Sequence, residues 1–600
     1  MTLSRKLLFS LSVAILSLLS SCSLKQMVKL AEQQELNVTP SPLELHGDSV
    51  KFDVSATIPV KMLKKNKIYT IKTWYEYGDP TTELDKFEFT DTEFPNQKVE
   101  QPSITKSFSF PYTDEAMKTG ELKIQGVASN LEKTKYKETA ILPIAKGLIT
   151  TSRLYLPSYE VVFADHGYNN KEELIPNNVD FFFEQGSAKL RKSEVSGEQG
   201  KLLNAFIASK NVTRTVTITG THSPEGLENI NSKLAEDRAK VIKDFYFRKM
   251  KEYDYKGLAD SIKFETKAVF QNWDALKKEL NAYASITSEE KSQITSIIDG
   301  SNGSFEDKAK AISKLSFYKK VLDDVYPQLR ASQTEILSVK QKKTDAEINV
   351  LARAIYKGEA SADTLTYEEL MYAASLTPLL EEKIKIYETA TKSNDSWKSH
   401  NNLGVAYYKM SEKTSNTTSK NDFIAKAKAQ FELAVNKEDN AFTQNNLAGV
   451  YLSEGDHLKA ETLFNKAQDA AGGNALVSKS IAAGKGVINI RKGNYTEAIA
   501  SLSNAEDIEN ASYNLGLTYL LNKDYDKATT ALEKESYENK NNALLPYLRA
   551  ILAARQGDET ALGVTLGQAV QIGNKLKEKA LNDLEFESFK TKPSFIEALK

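Results

Sequence analysis

The sequence predicts a multidomain chain in which a β-sandwich is followed by an α/β domain with a helical insertion and then by an all-α solenoid. Three observations carry that prediction. Apolar and polar residues alternate with period two in short runs between residues 36 and 150, a strand-helix-strand-helix order spans 176–340, and small and large apolar residues recur at roughly 34-residue spacing beyond residue 366. Six hundred residues, 40% of them hydrophobic and 9% aromatic, suffice for roughly four domains. Lysine and arginine total 79 against 80 acidic residues, so no net charge draws the chain toward nucleic acid.

Cys22 is the only cysteine, so no intrachain disulfide can form and each fold must stand on packing. It follows Leu19-Ser20-Ser21, behind an apolar run from Leu7 to Leu19 that itself follows Arg5 and Lys6. A basic start, a short apolar stretch and small residues before the cut describe residues 1–21 as a secretory signal peptide, too short and wrongly flanked to span a bilayer. Leu-Ser-Ser-Cys resembles the lipobox of bacterial lipoproteins. That resemblance implies an acylated Cys22 at the mature N-terminus, with several acyl chains holding the body firmly at a membrane. Residues 22–35 are then expected to form a lipidated polar tether.

Val50, Phe52, Val54, Ala56 and Ile58 alternate with polar residues, and further β-rich runs follow at 68–77, 87–89, 107–112, 122–128 and 140–144. Prolines and Gly/Asp turns separate them at the spacing of an immunoglobulin-like β-sandwich over 36–150. Its strand edges, the one at Val50 to Ile58 included, are candidates for adding a partner strand. In 176–340, strands are expected at Val179 to Phe183, Val212 to Gly220, Phe264 to Phe270 and Thr334 to Val339. Helices are expected at Gly197 to Ser209 and Asn231 to Phe247, the latter with Leu234, Val241 and Phe245 on one stripe. The polar, largely helical stretch from Trp273 to Pro327 reads as an insertion.

The solenoid announces itself by repetition. Leu447-Ala448, Tyr451, Gly455-Asp456, Ala460, Phe464 and Ala467 put small residues where two antiparallel helices touch and large ones in the holes between. The frame recurs from Leu403-Gly404 to Ala434, from Gly486 to Ala505 and from Leu515-Gly516 to Leu532. Its alanines Ala427, Ala460, Ala498 and Ala528 lie 33, 38 and 30 residues apart. This resembles the tetratricopeptide repeat over roughly 366–570, within a helical region reaching from 341 to 600. Ser411 to Asp422 is extra and reads as an inter-helix loop.

Catalytic signatures are missing. Histidines stand alone at 46, 166, 222, 400 and 457, with no spacing that closes a metal shell, and there is no nucleophile elbow, phosphate loop or dinucleotide fingerprint. We expect no enzyme, no metal and no cofactor.

Two sets of candidate binding residues remain. From Thr219 the chain reads Gly220-Thr221-His222-Ser223-Pro224-Glu225-Gly226, then Asn231, Leu234-Ala235 and Arg238-Ala239. This resembles the OmpA-like peptidoglycan-associated domain, with Thr221-His222 inverted relative to the family and Leu329-Arg330-Ala331 as a remnant of its closing basic segment. In that family an Asp and an Arg fifteen positions apart grip the zwitterionic end of a wall-peptide diaminopimelate. Arg238 and Asn231 keep their places, whereas Ser223 replaces the Asp and Glu225 is the nearest substitute. The resemblance therefore implies either a wall-binding site at Arg238, Asn231, Ser223 and Glu225 or a fold retained for protein docking.

The second set is Asn402, Asn445, Asn446 and Asn514, on the first helices of the repeats together with Tyr408 and Tyr513. Asparagines at matching places could clamp the backbone of an extended peptide, as in some tetratricopeptide proteins, or could merely cap and solvate helices. The whole resembles a lipoprotein of a Gram-negative envelope: Ser23 rather than Asp after the lipidated cysteine implies the outer membrane, and the lack of an acidic run after Cys22 favours its periplasmic face. The expected function is a scaffold docking subunits of an envelope machine for secretion, gliding or outer-membrane assembly. The rivals are a peptidoglycan tether and an assembly factor for surface fibres.

Overall fold

The structure is a computed structural model that describes residues 23–79, 81–253, 257–300, 303–470, 472–505, 507–538 and 542–600. Cys22 and the predicted signal peptide lie outside the described residues. The chain divides into two compact units, the first running up to Gly167 and resuming at Ile348, the second comprising Tyr168–Glu347.

The first unit opens with two β-sheets around one core. One holds β1 (Glu35–Thr39), β2 (Leu43–His46), β3 (Ser49–Thr57), β7 (Ser103–Pro111) and β11 (Leu148–Ile149), and the other holds β4 (Lys67–Glu76), β5 (Thr81–Glu83), β6 (Phe87–Thr90), β8 (Glu121–Asn130), β9 (Tyr136–Glu138) and β10 (Leu142–Lys146). The period-two alternation is met directly: Val50, Phe52, Val54 and Ala56 of β3 are buried, as are Tyr69, Ile71 and Tyr75 of β4. The segment Val50 to Ile58 is not an edge. β3 has β7 along one side and β1 and β2 along the other, so its backbone groups are already paired.

The expected tether is also absent over the described residues. Residues 23–31 are helical, and Leu24, Met27 and Ala31 are buried in the sandwich core. Their spacing of three and four places them on one helical face, which a count of polar residues alone conceals.

The sandwich has two distinct ends. β2 and β3 turn through Gly47 at the end that meets the solenoid, where a Cβ on Gly47 would lie 2.5 Å from the carbonyl oxygen of Lys492. There Arg555 pairs with Glu585 at 2.6 Å and reaches Glu44 at 3.7 Å, while the Thr151 hydroxyl donates to Glu585. Burial raises the Glu585 carboxyl pKa, and Arg555 opposes that shift. At the opposite end lie the start of β1, the 58–66 connection, the 91–102 loop and the β8–β9 turn.

Beyond Ile348 the first unit is helical. Among the described residues four successive hairpins have first helices Trp397–Lys413, Ala441–Ser453, Ala475–Lys492 and Ala511–Leu521 and second helices Thr417–Lys437, His457–Asp469, Tyr495–Leu502 and Tyr525–Glu538, flanked by the pairs Tyr367–Ala373/Leu380–Ser393 and Leu544–Gln556/Glu559–Ile572. The small residues do what the repeat frame demands: a Cβ on Gly516 would lie 2.5 Å from Leu532, and one on Gly404 2.6 Å from Phe431. Ser411 to Asp422 is mostly not a loop. The first helix runs on to Lys413 and the second begins at Thr417, capped by the Asn416 side chain, so the extra residues lengthen both helices.

The second unit carries a four-stranded sheet in the order β12 (Leu174–Phe182), β15 (Ala331–Val339), β13 (Thr213–Gly220), β14 (Lys263–Ala268), with only β13 and β14 parallel. The helix Glu228–Glu252 packs on it through Ala235, Ala239, Ile242, Phe245 and Tyr246, leaving Leu234 and Val241 half-buried beside the stripe. The insertion is helical and has its own core, with Leu276, Leu280, Ile294, Ile312 and Val321 among its buried residues.

Because Met27 is fully buried, Met27→Ala is expected to cost about 2–5 kcal/mol, read as a lower urea midpoint for the β-domain transition. A solvated tether would show no change.

Candidate functional site

The segment joining the sandwich to the second unit does not cross open solvent. Residues 154–164 run extended through the concave side of the solenoid, from the fourth hairpin back to the first. An extended chain outside a sheet leaves its N–H and C=O groups without partners, which is costly once they are buried. Here side chains of the inner helices supply them.

Asn514 accepts from the Leu156 N–H at 2.9 Å and donates to its carbonyl at 2.7 Å. The Ser480 hydroxyl accepts from the Glu160 N–H at 2.8 Å and donates to its carbonyl at 2.9 Å. Asn446 brackets Val162 at 2.9 Å on both bonds, and Asn402 brackets Ala164 at 2.7 and 3.0 Å. The residue before each asparagine adds a second donor. Asn401 reaches the Val162 carbonyl, Asn445 that of Glu160 and the Tyr513 hydroxyl that of Leu154.

The bracketing positions 446, 480 and 514 are 34 apart, and 402 precedes them by 44 because the first hairpin is longer. A side-chain amide carries one acceptor and two donors, so one asparagine can satisfy both backbone groups of a residue. Of the candidates, Asn402, Asn446 and Asn514 bracket residues of an extended backbone and Asn445 donates to it, and that backbone is the chain's own. Ser480 completes the ladder; the 34-residue frame points to it, but its residue type hides it.

Side chains of the strap fill the groove between the rungs. Tyr159 lies over Gly449, where a Cβ would come within 2.2 Å of the ring, and its hydroxyl bonds that of Tyr408. Glu160 pairs with Lys409 at 2.8 Å, and Val161 packs among Val405, Leu447 and Val450. The Tyr155 hydroxyl meets His457 Nε2 at 3.1 Å. Burial, followed by the charges of Arg491 and Arg153, pulls the His457 pKa down to about 4.

In the second unit the four other candidates are each engaged with internal partners. Arg238 is buried and donates to the carbonyls of Ser187, Thr221 and Glu184 at 3.0, 2.7 and 3.2 Å; burial and then Arg330 lower its pKa to about 10. Asn231 donates to the Glu225 carbonyl. Arg330 donates to the Ser223 hydroxyl at 3.0 Å and pairs with the Glu225 carboxylate at 2.8 Å. The insertion closes over them, with Phe305 edge-on to His222 at 5.7 Å and Glu306 accepting from the Glu228 N–H.

No protein-family model matches the sequence, and no curated protein matches it. Among solved structures the chain is similar to YrrB, a TPR protein with an unusual peptide-binding site, at 15% identity and a TM-score of 0.25, over 34% of this chain and 98% of that one. It is similar to PilF of Pseudomonas aeruginosa at 14% identity and a TM-score of 0.27, over 41% and 99%. A tetratricopeptide repeat protein of Parabacteroides merdae matches at 17% identity and a TM-score of 0.28, over 40% and 92%. The likenesses are partial, and the repeat reading stands on the helix spacing and the small-residue contacts described above.

Asn446→Ala leaves the buried Val162 N–H without its partner and its C=O with Asn401 alone, so a loss of about 1–3 kcal/mol is expected, seen as faster amide exchange across 154–164 with the sandwich unchanged. A second expectation concerns acid. The folded His457 pKa lies below the free value of 6.5, so the unfolded state takes up the proton first. That contribution to stability is complete above pH 6.5 and is lost as pH falls toward about 4. The urea midpoint should therefore drop less between pH 7 and 5 in His457→Gln than in the wild type.

Proposed function

We propose that this chain is a non-enzymatic scaffold of a Gram-negative envelope, anchored through acylated Cys22 to the periplasmic side of the outer membrane. It presents docking surfaces to protein subunits of a secretion, gliding or outer-membrane-assembly machine. What supports this reading is the helical-hairpin solenoid with apolar side chains exposed on its outer helices. Here the ladder holds the chain's own strap and so stiffens the body, which leaves partners to the uncovered outer helices. Apolar residues stand exposed there, Leu433 at 41% and Leu458 at 76% among them. The residue order from Leu7 to Cys22 supports the acyl anchor, and among the described residues no helix is long and apolar enough to cross a membrane.

Neither rival is favoured by an observation. A wall tether needs Arg238, Asn231, Ser223 and Glu225 turned toward a ligand, and all four are engaged with internal partners. Strand addition to a fibre subunit at Val50 to Ile58 needs a free edge, and β3 is flanked on both sides.

Labelled palmitate is expected on the wild type and not on Cys22→Ser. A photo-reactive residue at Leu458 is expected to trap envelope proteins in cells, whereas one at Ser480, beneath the strap, should cross-link only within the chain. Absence of label on the wild type would remove the anchor. Envelope partners caught at Ser480 and not at Leu458 would mean that the groove itself is the docking site.

A further inference from the structure

The sandwich end remote from the solenoid has an unusual surface. Three segments meet there: the 58–67 connection, the 91–102 loop and the β8–β9 turn at 130–136. They are tied together by Ile58 N–H to Pro102, Lys61 N–H to Gln97, the Gln97 side chain to Leu63, and the pairing of Lys67 with Asn130. Across them stand seven lysines against four carboxylates in a chain whose overall charge is −1. Lys61, Lys65, Lys98 and Lys135 are exposed. Between them Val99 is 81% exposed, Tyr136 58% and Leu131 51%. Exposed apolar and aromatic tips interspersed with lysines on irregular loops suit a headgroup boundary, where amphipathic rings and lysine stems insert and ammonium groups meet phosphates.

Position adds a second argument. Residues 23–31 are packed into the sandwich core and lead into β1 at Glu35, whose partner Thr57 lies at this same end. No slack tether separates residue 23 from the domain. The solenoid contacts are made at the other end, one strand length away, about 30 Å for the nine residues of β3.

We propose that this end of the β-domain is a docking face for an anionic phospholipid bilayer. The face sets the sandwich upright on the membrane and holds the solenoid about one strand length above it. Its orientation rests on the Cys22 anchor, but its lipid affinity belongs to the surface and can be measured without acylation.

The chain from Ser23 to Lys600, free of acyl groups, is floated with vesicles of phosphatidylethanolamine and phosphatidylglycerol and, in parallel, of phosphatidylethanolamine and phosphatidylcholine. Flotation is expected with the first and not the second, and should be lost in high salt. Reversing Lys61, Lys65 and Lys135 to Glu is expected to weaken binding more than about tenfold, and Val99→Asp about fivefold. These side chains are exposed, so thermal unfolding should be unchanged and serves as the folding control. Equal flotation with both vesicles, or flotation unaltered by the reversals, overturns the proposal. Salt-sensitive flotation together with an unlabelled Cys22 would leave the lipid face standing and remove the anchor; a labelled Cys22 without flotation would do the reverse.

Discussion

The organisation of the first unit depends on one requirement: an extended backbone, buried outside any sheet, must find a partner for every N–H and C=O. At Leu156, Glu160, Val162 and Ala164 three asparagines and a serine answer it by donating and accepting at the same residue. Because the bracketed residues 156, 160, 162 and 164 share one parity, the groove grips one edge of the strap and leaves the other side chains to packing. Adjacent rungs on 160, 162 and 164 advance two residues per hairpin, about 6.6 Å of extended chain. The fourth rung, on 156, follows after four residues, and Asn510 and the Ser158 hydroxyl cover the interval through the Pro157 and Glu509 carbonyls.

The clamp joins two parts that the sequence presents as separate domains. The strap leaves the sandwich where Thr151 and Arg153 meet Glu585 and Asp48, and it enters the groove within three residues of that contact. Glu585 and Arg555 are buried there, with side chains 3% and 10% exposed, so the junction is fixed by a desolvated pair as well as by shape. Such a pair is a poor source of net stability but a strong determinant of arrangement, because a misplaced partner leaves a buried charge uncompensated.

How much of this was legible in the sequence follows from the physics of each signal. The repeat was readable because packing restricts its residues to a few sizes: Ala460, Phe464 and Ala467 are each fully buried. The strands of both units were readable from alternation. The groove asparagines were readable as backbone clamps, yet their occupant was not, since a segment that pairs with side chains carries no turn, no partner strand and no helical period. Its only trace is an apolar and aromatic run from Leu154 to Ala164 lying between predicted domains. The second-unit cluster failed differently. Motif spacing placed Arg238, Asn231, Ser223 and Glu225 together correctly, but spacing cannot say that Arg330 fills the space among them or that Phe305 closes it.

The direction of the strap has a mechanical meaning. Its N-terminal end is fixed beside the sandwich and its C-terminal end lies against the first hairpin, so a pull on that end along the chain runs the length of the groove. Hydrogen bonds standing across the line of pull are loaded in shear, all at once, whereas a pull from the side would unzip them singly. Drawn lengthwise, the strap would let go of its rungs together rather than in turn.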